Sequence, residues 1–180
     1  MGSQAETSTE FEYVLVGAGP AGLQAAYFLE KSKRSYVVLE AGPVAGNFFV
    51  RNPRHRQLIS INKRFNGFPE DEYNLRHDWN SLISDDPKMR FTNYTDKLFP
   101  SADTVVEYFN DYAKKFKLNI MYNTRVEKIS HDRDGVSFVL RTKGGTTYKA
   151  QVVVMACGAM EENIPDIPGA ELCATYNTHN

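Results

Sequence analysis

The stretch Gly17-Ala18-Gly19-Pro20-Ala21-Gly22 follows the apolar run Phe11 to Val16 and precedes the helix-like Leu23 to Lys33. A short run rich in Val, Leu and aromatics that meets a glycine turn reads as a buried strand. Helical spacing of Leu23, Ala26, Tyr27 and Glu30 then predicts a helix from Pro20 or Ala21 to about Lys31. In such a strand, turn and helix the first glycine, Gly17, permits a tight bend. The second, Gly19, lets backbone approach a diphosphate, and the third, Gly22, lets the helix lie close to the strand. The helix N-terminus presents unpaired N–H groups and a partial positive charge to phosphates. Tyr36 to Glu40 reads as a second strand ending in a carboxylate, with Ala41 directly after it. Glu40 is positioned to accept hydrogen bonds from an adenosine ribose and to repel a 2′-phosphate. A lone G-x-G-x-x-G is a weak signal; this one, with its strand, helix and distant acid, points to a dinucleotide.

At 180 residues the chain can hold one domain with a sizeable core, and two independent cores are not expected. Hydrophobic residues make up 42%, charged residues 24% and the net charge is -1, so nothing recruits nucleic acid by charge alone. The longest near-apolar run, Val152 to Met160, is far short of the roughly 20 residues of a membrane span. Residues 1–10 read as a disordered lead-in rather than a secretory signal. Glu6 stands where a myristoylation motif after Gly2 wants Ser or Thr. Asn93-Tyr94-Thr95 fits a glycosylation sequon and reads as a surface turn. The two cysteines, Cys157 and Cys173, match neither a metal knuckle nor a vicinal dithiol. No metal site is expected, and Cys157 reads as a small buried residue.

From Ala41 to Pro100 regularity fades, which predicts an irregular excursion with a short helix or two; loops this long are usually functional. Ser101 caps a helix to Phe116, with Val105, Tyr108, Phe109, Tyr112, Ala113 and Phe116 at helical spacing. Strands are expected at Leu118 to Tyr122, Val126 to Ser130, Val136 to Thr142 and Thr146 to Ala150. Asp134-Gly135 and Gly144-Gly145 are hairpin signals that make the last three an antiparallel ribbon. Gln151 to Met155 reads as a separate, buried strand leading into Ala156-Cys157-Gly158-Ala159. The fold class is therefore α/β, a Rossmann-like parallel sheet with a three-stranded antiparallel β insertion. Its organisation is a domain over 11–160, with the excursion at 41–100 and the insertion at 125–150, then a connector over 161–180. Arg51, Arg54, Arg56, Lys63 and Arg64, with His55 and Phe65, form a basic patch followed at once by Glu70, Asp71 and Glu72. It reads as cofactor-phosphate contacts or interdomain salt bridges, or as a solvated face. Trp79 packs in a small core of the excursion, or lines a substrate cavity with His77.

The ribbon resembles the insertion of flavoproteins with two dinucleotide-binding domains, and Ala156-Cys157-Gly158 resembles the A-T-G after their last FAD strand, with Cys157 replacing Thr. Over nearly its whole length the chain resembles the flavin-containing monooxygenase-like group. The resemblance rests on GAGPAG with Glu40, on Ala45-Gly46-Asn47-Phe48-Phe49 at the place of the group's G-G-x-W, on the Asn62 segment, and on the helix ending DYAKKF. PRHRQLISINKRF (Pro53 to Phe65) and NLRHDWNSLIS (Asn74 to Ser84) look like the FAD-dependent oxidoreductase domain-containing branch. The resemblance implies FAD as cofactor, held at its diphosphate by Gly17, Gly19, Pro20, Ala21 and Gly22 and at its ribose by Glu40. Gly46, Asn47 and Phe48 would lie by the ribityl chain or flavin ring, Val126 would offer backbone to adenine, and Ala156 to Gly158 a backbone contact. Asn62 falls where the group keeps a catalytic asparagine beside the ring's reactive edge, and reads equally as a loop-capping amide.

The second glycine-rich turn that binds NADPH in the group is absent, and only His179 matches the group's F-x-G-x-x-x-H fingerprint. The implied function is the FAD-binding part of an NAD(P)H-dependent, monooxygenase-like oxidoreductase, with a missing C-terminal portion and a substrate left open. The alternative is a non-catalytic FAD- or nucleotide-binding module acting through a partner. An NAD-dependent dehydrogenase is disfavoured because no Tyr-x-x-x-Lys follows the fourth strand. The resemblance implies the lumen of the endoplasmic reticulum, whereas the sequence as given reads as soluble and cytoplasmic.

Overall fold

The computed structural model describes residues 8–64, 66–133, 135–158 and 164–174. Its apolar run becomes β1 (Ser8–Val16), the glycine turn opens α1 (Pro20–Lys31), and β2 (Tyr36–Leu39) runs parallel to β1. β1 starts at Ser8, within the stretch expected to be a disordered lead-in, because its first residues are paired, Ser8 with Thr147 through Phe11 with Ala150. Side chains alternate across the sheet. Leu15, Tyr36 and Val38 pack with the helices, whereas Val14, Val37 and Leu39 pack with Leu140 and Tyr148 on the opposite face. Pro20 opens α1 where it has no N–H to lose. The helix buries Gly22, Leu23, Ala26 and Tyr27. Glu30, expected on that face, stays exposed and accepts from the Tyr36 hydroxyl at 2.8 Å.

The excursion carries α2 (Phe48–Arg51), α3 (Asp71–His77) and two 3₁₀ turns, Pro87–Met89 and Phe91–Asn93. It has little ladder bonding of its own, and side chains of α1 and of α4 (Ala102–Lys115) supply partners to its backbone. The Tyr108 hydroxyl accepts from Leu82 N at 2.7 Å and donates to Met89 O at 3.1 Å. Tyr112 donates to Ile83 O at 2.7 Å, and Tyr27 accepts from Asp85 N at 2.9 Å. Ser101 caps α4 as its sequence suggests, accepting from Thr104 N at 3.1 Å.

Burial holds the hydroxyls of Tyr36, Tyr108 and Tyr112 protonated well above the usual 10.0. An unfolded chain ionises its phenols from that pH, while the folded chain keeps them neutral. Their contribution is complete below pH 10.0 and is lost as pH rises through the raised folded values. The thermal midpoint should hardly change between about pH 8 and 9.5 and should fall clearly by about pH 11. A midpoint unmoved at the higher pH would contradict this buried phenol cluster.

β3 (Ile120–Met121), β4 (Val126–His131), β5 (Phe138–Thr142) and β6 (Thr147–Met155) complete one six-stranded sheet in the order β3-β2-β1-β6-β5-β4. The antiparallel ribbon is β4-β5-β6. Its third strand and the valine-rich strand, expected as two, are one. Thr147 to Ala150 pairs with β5 on one side, while β6 runs parallel to β1 on the other. No glycine or proline interrupts residues 150–151, so the ribbon continues into the parallel sheet. Pairing with β5 stops at Ala150. Beyond it Val152 and Met155 are 40% and 59% exposed, not buried as their run of apolar neighbours suggests. Among the described residues no helix is long and apolar enough to cross a membrane.

Candidate cofactor-binding cleft

The three glycines of the first turn do different things. Gly17 has φ +105, and a Cβ there would lie 2.6 Å from Ala156 O. A Cβ on Gly22 would lie 1.9 Å from Gly17 O, so α1 sits directly on the turn. Gly19 has ordinary backbone angles, φ -77 and ψ -175, and nothing within 4 Å of where a Cβ would be. Two glycines therefore serve packing, and the third leaves the helix N-terminus open. The N–H groups of Ala21 and Gly22, in the first turn of α1, have no acceptor within their helix.

Glu40 is 7% exposed, and its carboxylate is already engaged. Oε2 accepts from Ala18 N and Oε1 from Gly42 N, both at 2.7 Å. One side chain thus ties the glycine turn to the loop after β2. Each carboxylate oxygen has a second lone pair, so acceptor capacity remains. On the backbone, Glu40 N donates to Met121 O at 2.9 Å and Thr124 N donates to Glu40 O at 2.7 Å, which brings the start of β4 beside the acid. In the loop after β2, Gly46 has φ +66 and backs onto the Phe109 ring.

A cleft of about 870 Å³ spans this region. Of the residues singled out from sequence, Gly17, Gly19, Pro20, Glu40, Ala41, Asn47, Phe48, Val126, Ala156, Cys157 and Gly158 line it; Ala21, Gly22, Gly46 and Asn62 do not. Gly22 and Gly46 bear on it from behind through the contacts just given. Sequence reasoning missed Thr124, Arg125, Glu127, Lys128 and Ile129 on one wall and Phe49 on the other. No local motif marks the first group; what brings it in is the Thr124–Glu40 backbone bond. Leu39, Val126, Ile129 and Met155 make the lining beside β4 largely apolar, which suits a flat heterocycle. Cys157, expected to be buried, is exposed and lines the cleft, because β6 has lost its β5 neighbour before reaching it.

Asn62 is 5% exposed; its Nδ2 donates to Thr95 O at 2.7 Å and its N to Leu98 O at 2.9 Å. Its Oδ1 is buried without a partner among the described residues. None of the five basic residues at 51–64 lines the cleft. Arg56 bridges Asp103 and donates to Phe49 O, and Arg64 pairs with Asp96, so these two make salt bridges inside the domain. Trp79 is 80% exposed, with Lys63 Nζ 4.8 Å above its ring, in place of the packed position expected for it. His77 stacks on Tyr73 at 4.2 Å. His179 lies outside the described residues, as do Phe65 and Asp134. Among the described residues no group of three His, Cys, Asp or Glu could hold a metal.

A parallel sheet with an antiparallel extension, and one cleft laid across the mouth of its first helix, define a dinucleotide-binding α/β module. The chain belongs to the pyridine nucleotide-disulphide oxidoreductase family, whose pattern matches residues 14–180. It is 43% identical over 172 residues to FAD-dependent oxidoreductase domain-containing protein 2 of Mus musculus, covering 93% of this chain and 26% of that protein. Against the Danio rerio protein of the same name the covered share is 25%, so the chain spans about a quarter of the length of these curated relatives. Bacillithiol disulfide reductase from Staphylococcus aureus has the same fold, with a TM-score of 0.70 at 19% identity over 91% of this chain and 43% of that one. A flavin-containing monooxygenase from Stenotrophomonas maltophilia matches with a TM-score of 0.62 at 24% identity, over 82% of this chain and 38% of its own.

Proposed function

We propose that this chain binds FAD across the α1 N-terminus and forms the FAD-binding part of an NAD(P)H-dependent, monooxygenase-like flavoprotein oxidoreductase. The observation that carries the reading is the conjunction, in one cleft, of the open Gly19 position and the Glu40 carboxylate. A diphosphate fits against Gly19 and the N–H groups of Ala21 and Gly22, where the helix dipole favours negative charge. Glu40 accepts from the adenosine ribose with its remaining lone pairs and disfavours a 2′-phosphate. Val126 and its apolar neighbours take the adenine, Ala156 to Gly158 close the turn from behind, and Asn47 and Phe48 take the other end. Asn62 lies outside the cleft lining, so its buried Oδ1 is given no part in holding the cofactor.

When bound, the flavin supplies hydride and oxygen chemistry. The residues of this chain orient it, set the charge around its phosphates and keep water from its buried face. Cys157 and Cys173 lie 16 residues apart and form no vicinal dithiol within this chain, so nothing in it adds thiol chemistry to the flavin site. NAD(P)H would bind outside this cleft.

The test is an absorbance and fluorescence titration of the purified chain with FAD. Binding is expected to quench flavin fluorescence and to perturb the visible bands saturably, with ADP competing. A flavin spectrum identical with and without protein would overturn the proposal.

A further inference from the structure

Asn110 lies on α4, outside the cleft lining, and makes hydrogen bonds that its own helix does not require. Its Oδ1 accepts from Ala45 N at 3.1 Å, and its Nδ2 donates to Ala45 O at 3.2 Å and to Val106 O at 2.7 Å. A carboxamide that pairs in both directions with one residue's N–H and C=O fixes that residue's position and orientation, as a neighbouring strand would. The next residue, Gly46, donates its N–H to Ala18 O in the glycine turn at 2.8 Å, and its missing Cβ would meet the Phe109 ring at 2.5 Å. Phe49 then packs edge-on against Phe109 at 5.8 Å. Helix α4 therefore grips the loop immediately before Asn47, Phe48 and Phe49, the three residues that carry it into the cleft.

The cleft has two sides about the α1 N-terminus. Glu40 and residues 124–129 form one, and Phe48 and Phe49 lie towards the other, with the Asn47 side chain between them against Gly42. A dinucleotide with its ribose at Glu40 and its diphosphate at Gly19 has its adenosine half on the first side and its remaining half on the second. We infer that Asn110 is a positioning residue for that remaining half, acting through Ala45 to Phe49 and touching no cofactor atom. This rests on the FAD reading. ADP reaches from the first side only as far as the diphosphate position and makes no contact with residues 48–49, so its affinity should depend far less on Asn110 than that of FAD.

The test compares binding of FAD and of ADP to the wild-type chain, N110L and N110D, with a thermal melt of each. Leucine keeps the size of the side chain and removes every hydrogen bond. Aspartate keeps the acceptor for Ala45 N and sets an oxygen against the carbonyls of Ala45 and Val106 in place of a donor. Both variants should lose about tenfold or more in FAD affinity while ADP affinity stays within about twofold. Equal losses for both ligands would make Asn110 a general brace and overturn the inference, as would unchanged FAD affinity. A wild-type chain that binds neither ligand overturns the FAD reading and this inference with it, which is a different result. Should the variants not melt cooperatively, hydrogen exchange in the wild type decides. The Ala45 amide should be protected without ligand and further protected by FAD but not by ADP; an unprotected Ala45 amide, or equal protection by both, overturns the inference.

Discussion

Alanine at Gly17 should lower the thermal midpoint by roughly 10 °C and abolish FAD binding, whereas alanine at Gly19 should abolish most binding and leave the midpoint where it is. At Gly17 two penalties combine. A φ of +105 is a region that side chains rarely adopt, and the new methyl would lie 2.6 Å from Ala156 O, a backbone atom that cannot rotate away. Backbone strain of this kind costs about 1–3 kcal/mol, and forcing a group into packed structure a further 1–3 kcal/mol or so. In a chain of this size each kcal/mol moves the midpoint by about 2–4 °C. At Gly19 neither penalty exists, since φ is -77 and no atom lies within 4 Å of the new methyl. That methyl instead occupies space the diphosphate needs, so FAD affinity should fall about tenfold or more. Thermal melting and FAD titration of the two variants separate the scaffold from the site. If G19A bound FAD as the wild type does, the diphosphate could not lie there.

Glu40→Ala should be strongly damaging to both stability and FAD binding. It leaves Ala18 N and Gly42 N without their acceptor, and an unsatisfied buried donor costs about 1–3 kcal/mol. The total stability loss should therefore be about 2–6 kcal/mol, read by urea denaturation. FAD affinity should fall about a hundredfold, because the ribose loses its acceptor and the glycine turn loses the tie that holds it. Glu40→Gln keeps one acceptor and turns an NH₂ towards the other N–H, so it should recover part of the stability and little of the affinity. If Glu40→Ala were as stable as the wild type, the two short hydrogen bonds would have no energetic weight and the acid would act on ligand alone.

Much of this site can be read from the chain because its parts are near neighbours in sequence. The bend at Gly17, the open position at Gly19, the close approach at Gly22 and the strand that ends in Glu40 are all local consequences of residue type and spacing. The second job of Glu40 could not be read. Its partner Ala18 lies 22 residues away, and the carboxylate reaches it only once β1 and β2 are side by side. Trp79 illustrates the opposite error: its size argues for burial, yet it lies 80% exposed with Lys63 over it, because the excursion fills its core with Phe91, Met89 and Leu82 instead. Asn62 left two roles open on paper, and its bond to Thr95 O uses one half of the amide while its Oδ1 has no donor among the described residues.

From the sequence alone came the strand, turn and helix, the acid at the end of the second strand and the antiparallel ribbon. Those rest on short-range sterics, glycine backbone freedom and side-chain periodicity, which operate within a few residues. Tertiary structure alone joined the ribbon to the parallel sheet through one continuous β6, and it brought Thr124, Arg125 and residues 127–129 to the wall beside Glu40, around the Val126 that sequence had singled out. It also placed Asn110 against Ala45, 65 residues earlier in the chain. These are hydrogen bonds between segments distant in sequence, and nothing in either segment specifies its partner until hydrophobic burial has packed the sheet and helices together.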